Sequence, residues 1–243
     1  MERGLYIAAS GMLAELARQD QIANDLANAS TPGYKADRSA QQSFGAMLLV
    51  NRATGAQVGP LSLGAQIAGT RADMSQGALR DTGEPLDVAL EGEGFLEVQT
   101  PAGTRYTRNG QLMLDGAGRL TTGTGDPVLD DAGKPITLGT TDEVAIAPDG
   151  AVTLKGKQVA RLGIASLTNP VKEGDSLFSG TAGGRPAGTT VRAGSLEASG
   201  VDAARAMVEM ITSLRDFEAQ QRVVHAIDET LEKGLSVGSM GGG

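Results

Sequence analysis

A mixed α and β fold is predicted, in which an N-terminal and a C-terminal helix pair as a coiled-coil-like assembly domain around a central antiparallel all-β domain. Three observations predict it. Heptad-spaced apolar ladders lie at both ends of the 243-residue chain, short period-two apolar runs fill its middle, and no helix-length pattern separates those runs. The crossover units of a parallel sheet are therefore missing.

The first ladder runs Leu5, Ala9, Met12, Leu16, Ala23 and Leu26, with Gln19 as the polar break. It sits in good helix formers from residue 3 to 29. Ser30, Thr31, Pro32 and Gly33 then stop it with turn chemistry and a lost backbone donor. The second ladder runs Met207, Met210, Leu214, Phe217, Val224 and Leu231, interrupted by Gln221 and Asp228, inside a predicted helix from Ala203 to Lys233 that Asp202 caps. Each stripe needs an apolar partner, supplied by the other helix or by a copy of it in a neighbouring subunit.

Between Tyr34 and Gly69 the patterning weakens. Phe44, Met47, Leu48 and Val50 read as a short packed segment, and Gly55, Gly59, Pro60 and Gly64 punctuate the remainder, so residues 30–69 are expected to be an extended connector. From 70 to 195 the pairs and triplets Leu86/Val88/Leu90, Leu96/Val98, Leu112/Leu114, Val144/Ile146, Val152/Leu154 and Leu162/Ile164 predict strands. Asn109-Gly110, Asp115-Gly116 and Asp149-Gly150 are expected to supply positive φ at tight turns, and an antiparallel meander is the economical topology. The resulting organisation is a terminal helical domain of 1–29 and 200–235, the connector, a β domain of 70–195, and a flexible, glycine-rich tail of 236–243.

Composition excludes several function classes. A net charge of −8 without a basic cluster argues against nucleic acid. The absence of cysteine removes disulfides, thiolate metal sites and thiol nucleophiles. The longest apolar run, Ala46 to Val50, is far below the roughly 20 residues of a membrane helix, so no membrane insertion is expected. Glu2, Arg3, Glu15, Arg18 and Asp20 keep the first helix amphipathic, unlike a cleaved secretory signal.

Side chains with reactive chemistry read as structural. Asp87 and Glu91 fall on the strand face opposite Leu86, Val88 and Leu90, as solvated residues do, and with Glu93 they form no acid/base pair. His225, the one histidine, has no nucleophile motif near it and reads as a surface or interface residue. Gly92-Glu93-Gly94 precedes strand rather than a helix N-terminus, which removes it as a phosphate loop. Catalytic, cofactor and metal residues are accordingly expected to be none.

The segment Leu5 to Lys35 resembles the N-terminal signature of bacterial flagellar axial proteins, most closely at Ile22-Ala-Asn-Asp-Leu-Ala-Asn28 followed by Thr31, Gly33 and Tyr34. Within that motif Asn24, Leu26, Asn28, Gly33 and Tyr34 carry the likeness. The resemblance continues through Thr82-Gly83, Leu86 to Phe95, Tyr106 to Gly110 and Asp115 to Leu120, and then through Gly194 to Asp202, Ala206 to Ile211 and Phe217-Glu218. It implies a basal-body rod protein, of the FlgF type ahead of the slightly longer FlgG type. It also implies export by the flagellar type III apparatus and partners among other rod and hook-family axial proteins and copies of itself.

Assembly is then expected to use Leu5, Met12, Leu16, Leu26, Met207, Met210, Leu214, Phe217, Val224 and Leu231. The competing reading is a secreted carbohydrate-active enzyme with a helical dimerisation clamp. Three Tyr, four Phe and no Trp leave too few aromatics for its sugar-binding cleft.

Overall fold

The computed structural model describes residues 2–43, 46–50, 57–62, 65–141 and 143–240. Two compact units divide the chain: Met1–Ala27, Asp37–Arg71 and Ala203–Gly243 form one, and Asn28–Ala36 with Ala72–Asp202 form the other. The class is as predicted, with a helix at each end and an antiparallel β region between.

In the first unit, helix α1 spans Glu2–Ala27 and helix α2 spans Ala203–Met240. They run antiparallel. A Cβ at Gly4 would stand 3.4 Å from the Ile227 side chain, one at Gly11 would stand 2.9 Å from that of Gln220, and Ser213 hydrogen-bonds Glu15 at 2.6 Å. The contact seam on α1 is thus Gly4, Ala8, Gly11, Glu15 and Ile22, one residue back from the predicted apolar stripe. Small side chains occupy this seam because helix separation is set by the residues at the contact, and glycine and alanine let the axes approach. Helix α2 continues to Met240, so the expected flexible tail is helical to that point, and residues 241–243 lie outside the described residues.

Strands β1 (Asp37–Ser43), β2 (Ala46–Val50), β3 (Gln57–Ser62) and β4 (Ala65–Ala72) complete this unit. β1 pairs with β4 and β2 with β3, the latter antiparallel from Ala46↔Ser62 to Val50↔Gln57. The expected connector is therefore extended but also paired. Main-chain hydrogen bonding between strands satisfies backbone groups that weak side-chain patterning could not reveal. Phe44, Gly55 and Gly64 fall outside the described residues.

The second unit begins with β5 (Leu79–Asp81), β6 (Val88–Glu91), β7 (Phe95–Thr100), β8 (Gly103–Thr107), β9 (Leu112–Leu114) and β10 (Leu120–Thr122). Next come β11 (Val144–Ile146), β12 (Ala151–Leu154), β13 (Lys157–Arg161), β14 (Ile164–Ala165), β15 (Leu167–Gly174) and β16 (Leu177–Ala182), then β17 (Thr190–Ala193) and β18 (Ser195–Glu197). The paired strands whose register is defined here are antiparallel, but the order is not a simple meander. β14-β7-β8-β16-β15 form one sheet, while β17 closes on β6 and β18 on β5 across more than half the unit. The main core gathers Val88, Leu90, Leu96, Val98, Leu120, Val128, Ile136, Val152 and Leu162, and a smaller cluster holds Phe95, Tyr106, Ala165 and Phe178.

Of the three turn dipeptides, only Asp149-Gly150 has its glycine at positive φ. At Asp115-Gly116 the φ is carried by Gly118, and the Asp115 carboxylate accepts from the backbone N–H groups of Ala117 and Arg119. Gly110 serves close approach instead, since a Cβ there would lie 1.6 Å from the Val88 carbonyl oxygen.

Candidate assembly surface and motif junction

The helix pair leaves much of its apolar surface open. Leu5, Leu16, Met207, Leu214 and Leu231 are exposed, at 37 to 52%, whereas Met12, Leu26, Met210, Phe217 and Val224 are half-buried. The ten predicted residues thus split between the flank of the seam and its rim. Tyr6, Ile7, Leu13, Val208, Ile211 and Val223 are also exposed and were not among those predicted. Their signal lay in a second stripe, visible as Tyr6 and Leu13 one heptad apart and Val208 and Ile211 one turn apart.

The family-motif residues divide between the units. Asn24 and Leu26 belong to α1, while Asn28, Gly33 and Tyr34 belong to the β unit. There Thr31 Oγ1 donates to Asn28 Oδ1 at 3.2 Å. Gly33 adopts φ 66° and gives its N–H to the Glu197 carbonyl at 2.8 Å; a Cβ at Gly33 would fall 2.3 Å from the Arg108 carbonyl. Tyr34 is buried, with the Lys172 ammonium 3.9 Å from its ring centroid.

Beside this turn lies a buried ion cluster that the sequence reading did not single out. Lys35 Nζ meets Glu197 Oε1 at 2.6 Å and the Ser75 carbonyl at 2.7 Å. Arg108 meets Glu197 Oε2 at 3.2 Å, donates to the Gly92 carbonyl at 2.7 Å, and stacks 5.3 Å from the Phe95 centroid. Gly77 N–H adds a 2.8 Å bond to Glu197 Oε1. Lys35 and Glu197 are 1% exposed and Arg108 is 5% exposed. Burial pulls Lys35 below its ordinary range although Glu197 opposes it, and burial likewise lowers Arg108 against the same carboxylate. The signal for these residues was positional. Lys35, Arg108 and Glu197 each lie inside one of the three segments that carry the family resemblance.

Reactive chemistry does not converge here. Glu91 is exposed, as expected, and so is Glu93, but Asp87 is buried, because Val88, Ala89 and Leu90 are covered on both faces of β6 and strand alternation no longer separates core from solvent. His225 is exposed on α2. Among the described residues no group of three or more His, Asp and Glu side chains is placed to hold a metal ion. No helix among them is long and apolar enough to cross a membrane.

A helix pair with open apolar flanks and a separate β unit without reactive chemistry among its described residues define the class of structural subunits. Three family models match in order along the chain: the flagella basal body rod protein family over residues 5–35, the flagellar hook protein FlgE/F/G D1 domain over 89–154, and the flagellar basal body rod FlgEFG protein C-terminal over 192–237. The chain is 34% identical to the flagellar basal-body rod protein FlgF of Escherichia coli K12, across 99% of this chain and 100% of that protein. It is 31% identical to FlgG of Bacillus subtilis, across 96% and 98%, and 29% identical to the flagellar hook-basal body complex protein FlhO of the same organism, across 96% and 97%. This chain belongs to the flagellar basal-body rod protein family, and the matches favour the FlgF type. It is a structural component of the basal body that associates with other rod and hook components, and nothing among these relatives supports the carbohydrate-active alternative.

Proposed function

We propose that the chain polymerises through its terminal segments, residues 1–29 and 200–235 acting as a coiled-coil-like assembly domain, to build the axial shaft that passes torque from motor to hook. The carrying observation is the placement of exposed apolar side chains along an antiparallel pair. Leu5, Ile7 and Leu13 lie on the N-terminal half of α1, and Met207, Val208 and Ile211 on the N-terminal half of α2, so the two patches are displaced toward opposite ends of the pair. Unlike patches of this kind join head to tail, and such a contact propagates as a filament rather than closing. Each side chain fully covered by a neighbour contributes roughly 1.5 to 3 kcal/mol.

On this reading the neighbours are other axial proteins and copies of this chain. Delivery is by the flagellar type III apparatus without a cleaved signal, and the working site is the periplasmic rod. Leu16→Glu and Leu214→Glu test it: each should abolish swimming and recovery with isolated basal bodies while leaving the far-ultraviolet circular dichroism of the purified chain unchanged. Normal swimming and normal recovery of either variant would remove the helix flanks as assembly surfaces.

A further inference from the structure

Residues 28–36 are held by the rest of their unit in the manner of a bound peptide. Four consecutive residues are held through their main-chain groups, three of them by main-chain partners and one by a lysine side chain. Gly33 N–H reaches the Glu197 carbonyl at 2.8 Å, the Tyr34 carbonyl accepts from Gly200 N–H at 2.9 Å, the Lys35 carbonyl accepts from Lys172 Nζ at 3.0 Å, and the Ala36 carbonyl accepts from Asp73 N–H at 2.8 Å. Two side chains are seated as anchors, Tyr34 beneath the Lys172 ammonium and Lys35 between Glu197 and the Ser75 carbonyl. The receiving groups come from distant parts of the chain, so the site exists only once the β unit is assembled.

Charge makes occupation of the site conditional. Lys35 and Arg108 are both buried cations, and both rest on the two oxygens of Glu197. Asp73 and Glu93 add attraction at longer range, on Lys35 and Arg108 respectively. Without Glu197, docking the segment would bring one buried cation beside another with no carboxylate bonded to either, and breaking a buried pair in this way is far more costly than never having formed it. Arg108 Nε, buried and without a hydrogen-bond partner, shows how little spare capacity the cluster has.

We propose that Ala72–Asp202 forms an internal binding site for the Asn28–Ala36 segment, recognising a Gly-aromatic-Lys sequence, and that Glu197 licenses its occupation. The segment docks after strand β18 joins β5. A chain is made from its N-terminus, so Lys35 and Arg108 exist before their shared carboxylate, and the segment stays undocked until residue 197 has joined the unit.

The test uses the full chain and hydrogen exchange of peptides covering 28–36 and 95–107 in three variants. Glu197→Gln should speed exchange across 28–36 by at least about tenfold while 95–107 stays protected, because the undocking is local. Lys35→Met loses one anchor but leaves Glu197 paired with Arg108, so it should speed exchange across 28–36 less than Glu197→Gln does. The double variant Lys35→Met, Glu197→Gln should recover most of the protection, having removed the cation conflict. The proposal falls if Glu197→Gln exchanges like the parent, if Lys35→Met opens the segment as fully as Glu197→Gln, or if the double variant is no better protected than Glu197→Gln. Should Glu197→Gln unfold the whole unit, the thermal midpoints decide: a double variant more stable than Glu197→Gln supports licensing by charge, and one equally unstable overturns it.

Discussion

Glu15 and Ser213 are separated by 198 residues of chain and joined by a buried hydrogen bond of 2.6 Å, Ser213 Oγ donating to a Glu15 carboxylate oxygen. The bond sets the register of α1 against α2, because sliding either helix by one turn would leave a carboxylate of 7% exposure without this donor. Glu15 is the charged member of a seam whose other α1 residues are Gly4, Ala8, Gly11 and Ile22.

Ser213→Ala should therefore lower the stability of the helix pair by about 1–3 kcal/mol, the cost of leaving a buried acceptor short of a donor. Thermal melting followed at 222 nm reads it. An unchanged midpoint would mean that the bond does not hold the pair in register.

Seam and flank should respond oppositely to substitution. Ala8 lies in the seam at 9% exposure, so Ala8→Leu should overpack it and cost about 1–3 kcal/mol. Leu16 at 43% exposure lies outside the seam, and Leu16→Glu should change the monomer's stability by less than about 0.5 kcal/mol. Equal destabilisation by both changes would contradict the one-residue offset between the contact seam and the apolar stripe.

Gly33→Ala combines a left-handed φ of 66° with a Cβ placed 2.3 Å from the Arg108 carbonyl, against backbone that cannot swing aside. A loss of about 3 kcal/mol or more is expected. Gly123→Ala, where nothing lies within 4 Å of the added Cβ, should change stability by less than about 1 kcal/mol and serves as the control in denaturant titration.

Acid should weaken the β unit through particular surface carboxylates. Asp115 is held below its ordinary range by the Arg119 backbone N–H and side chain, Asp149 by the Ala151 N–H and Arg161, and Glu173 by Ser179 and Arg105. Each therefore contributes stability that is complete above the unfolded carboxylate range, near about pH 4, and is lost as pH falls through its depressed folded value. Asp149→Asn should lower the thermal midpoint at pH 7 and have little effect near pH 2. A drop of the same size at both values would show that the Asp149 charge is not responsible.

Glu97 has the opposite sign. Burial raises its carboxyl above the ordinary range, so at neutral pH the ionised form is a cost of folding, which fades as acid protonates it. Glu97→Gln should raise the midpoint at pH 7 relative to the parent, with the gain shrinking as pH falls through the raised folded value and gone below about pH 4. A midpoint lowered at pH 7 would mean that the charge is stabilised by contacts that outweigh its burial.

Both terminal helices, the strand character of the middle and the antiparallel pairing were legible in the sequence, because each rests on a local period: 3.5 residues for the stripes and two for the strands. The period also picks out Leu5, Leu16, Met207, Leu214 and Leu231, apolar side chains that the helix pair leaves exposed. It cannot say which neighbouring row of the helix meets the other helix. Only the tertiary structure decided that Gly4, Ala8, Gly11 and Glu15 form the contact, since separation of the axes depends on both partners at once. The same limit applies to Lys35, Arg108 and Glu197, three ordinary charged residues far apart in the chain that become one buried cluster when β18 pairs with β5. The sequence by itself determined the two terminal helices, the strand character of residues 70–195 and the faces that need covering, but not the pairing of β1 with β4 or of β2 with β3. The tertiary structure decided which distant groups share a dry site, because burial and charge pairing depend on proximity in space and leave no period along the chain.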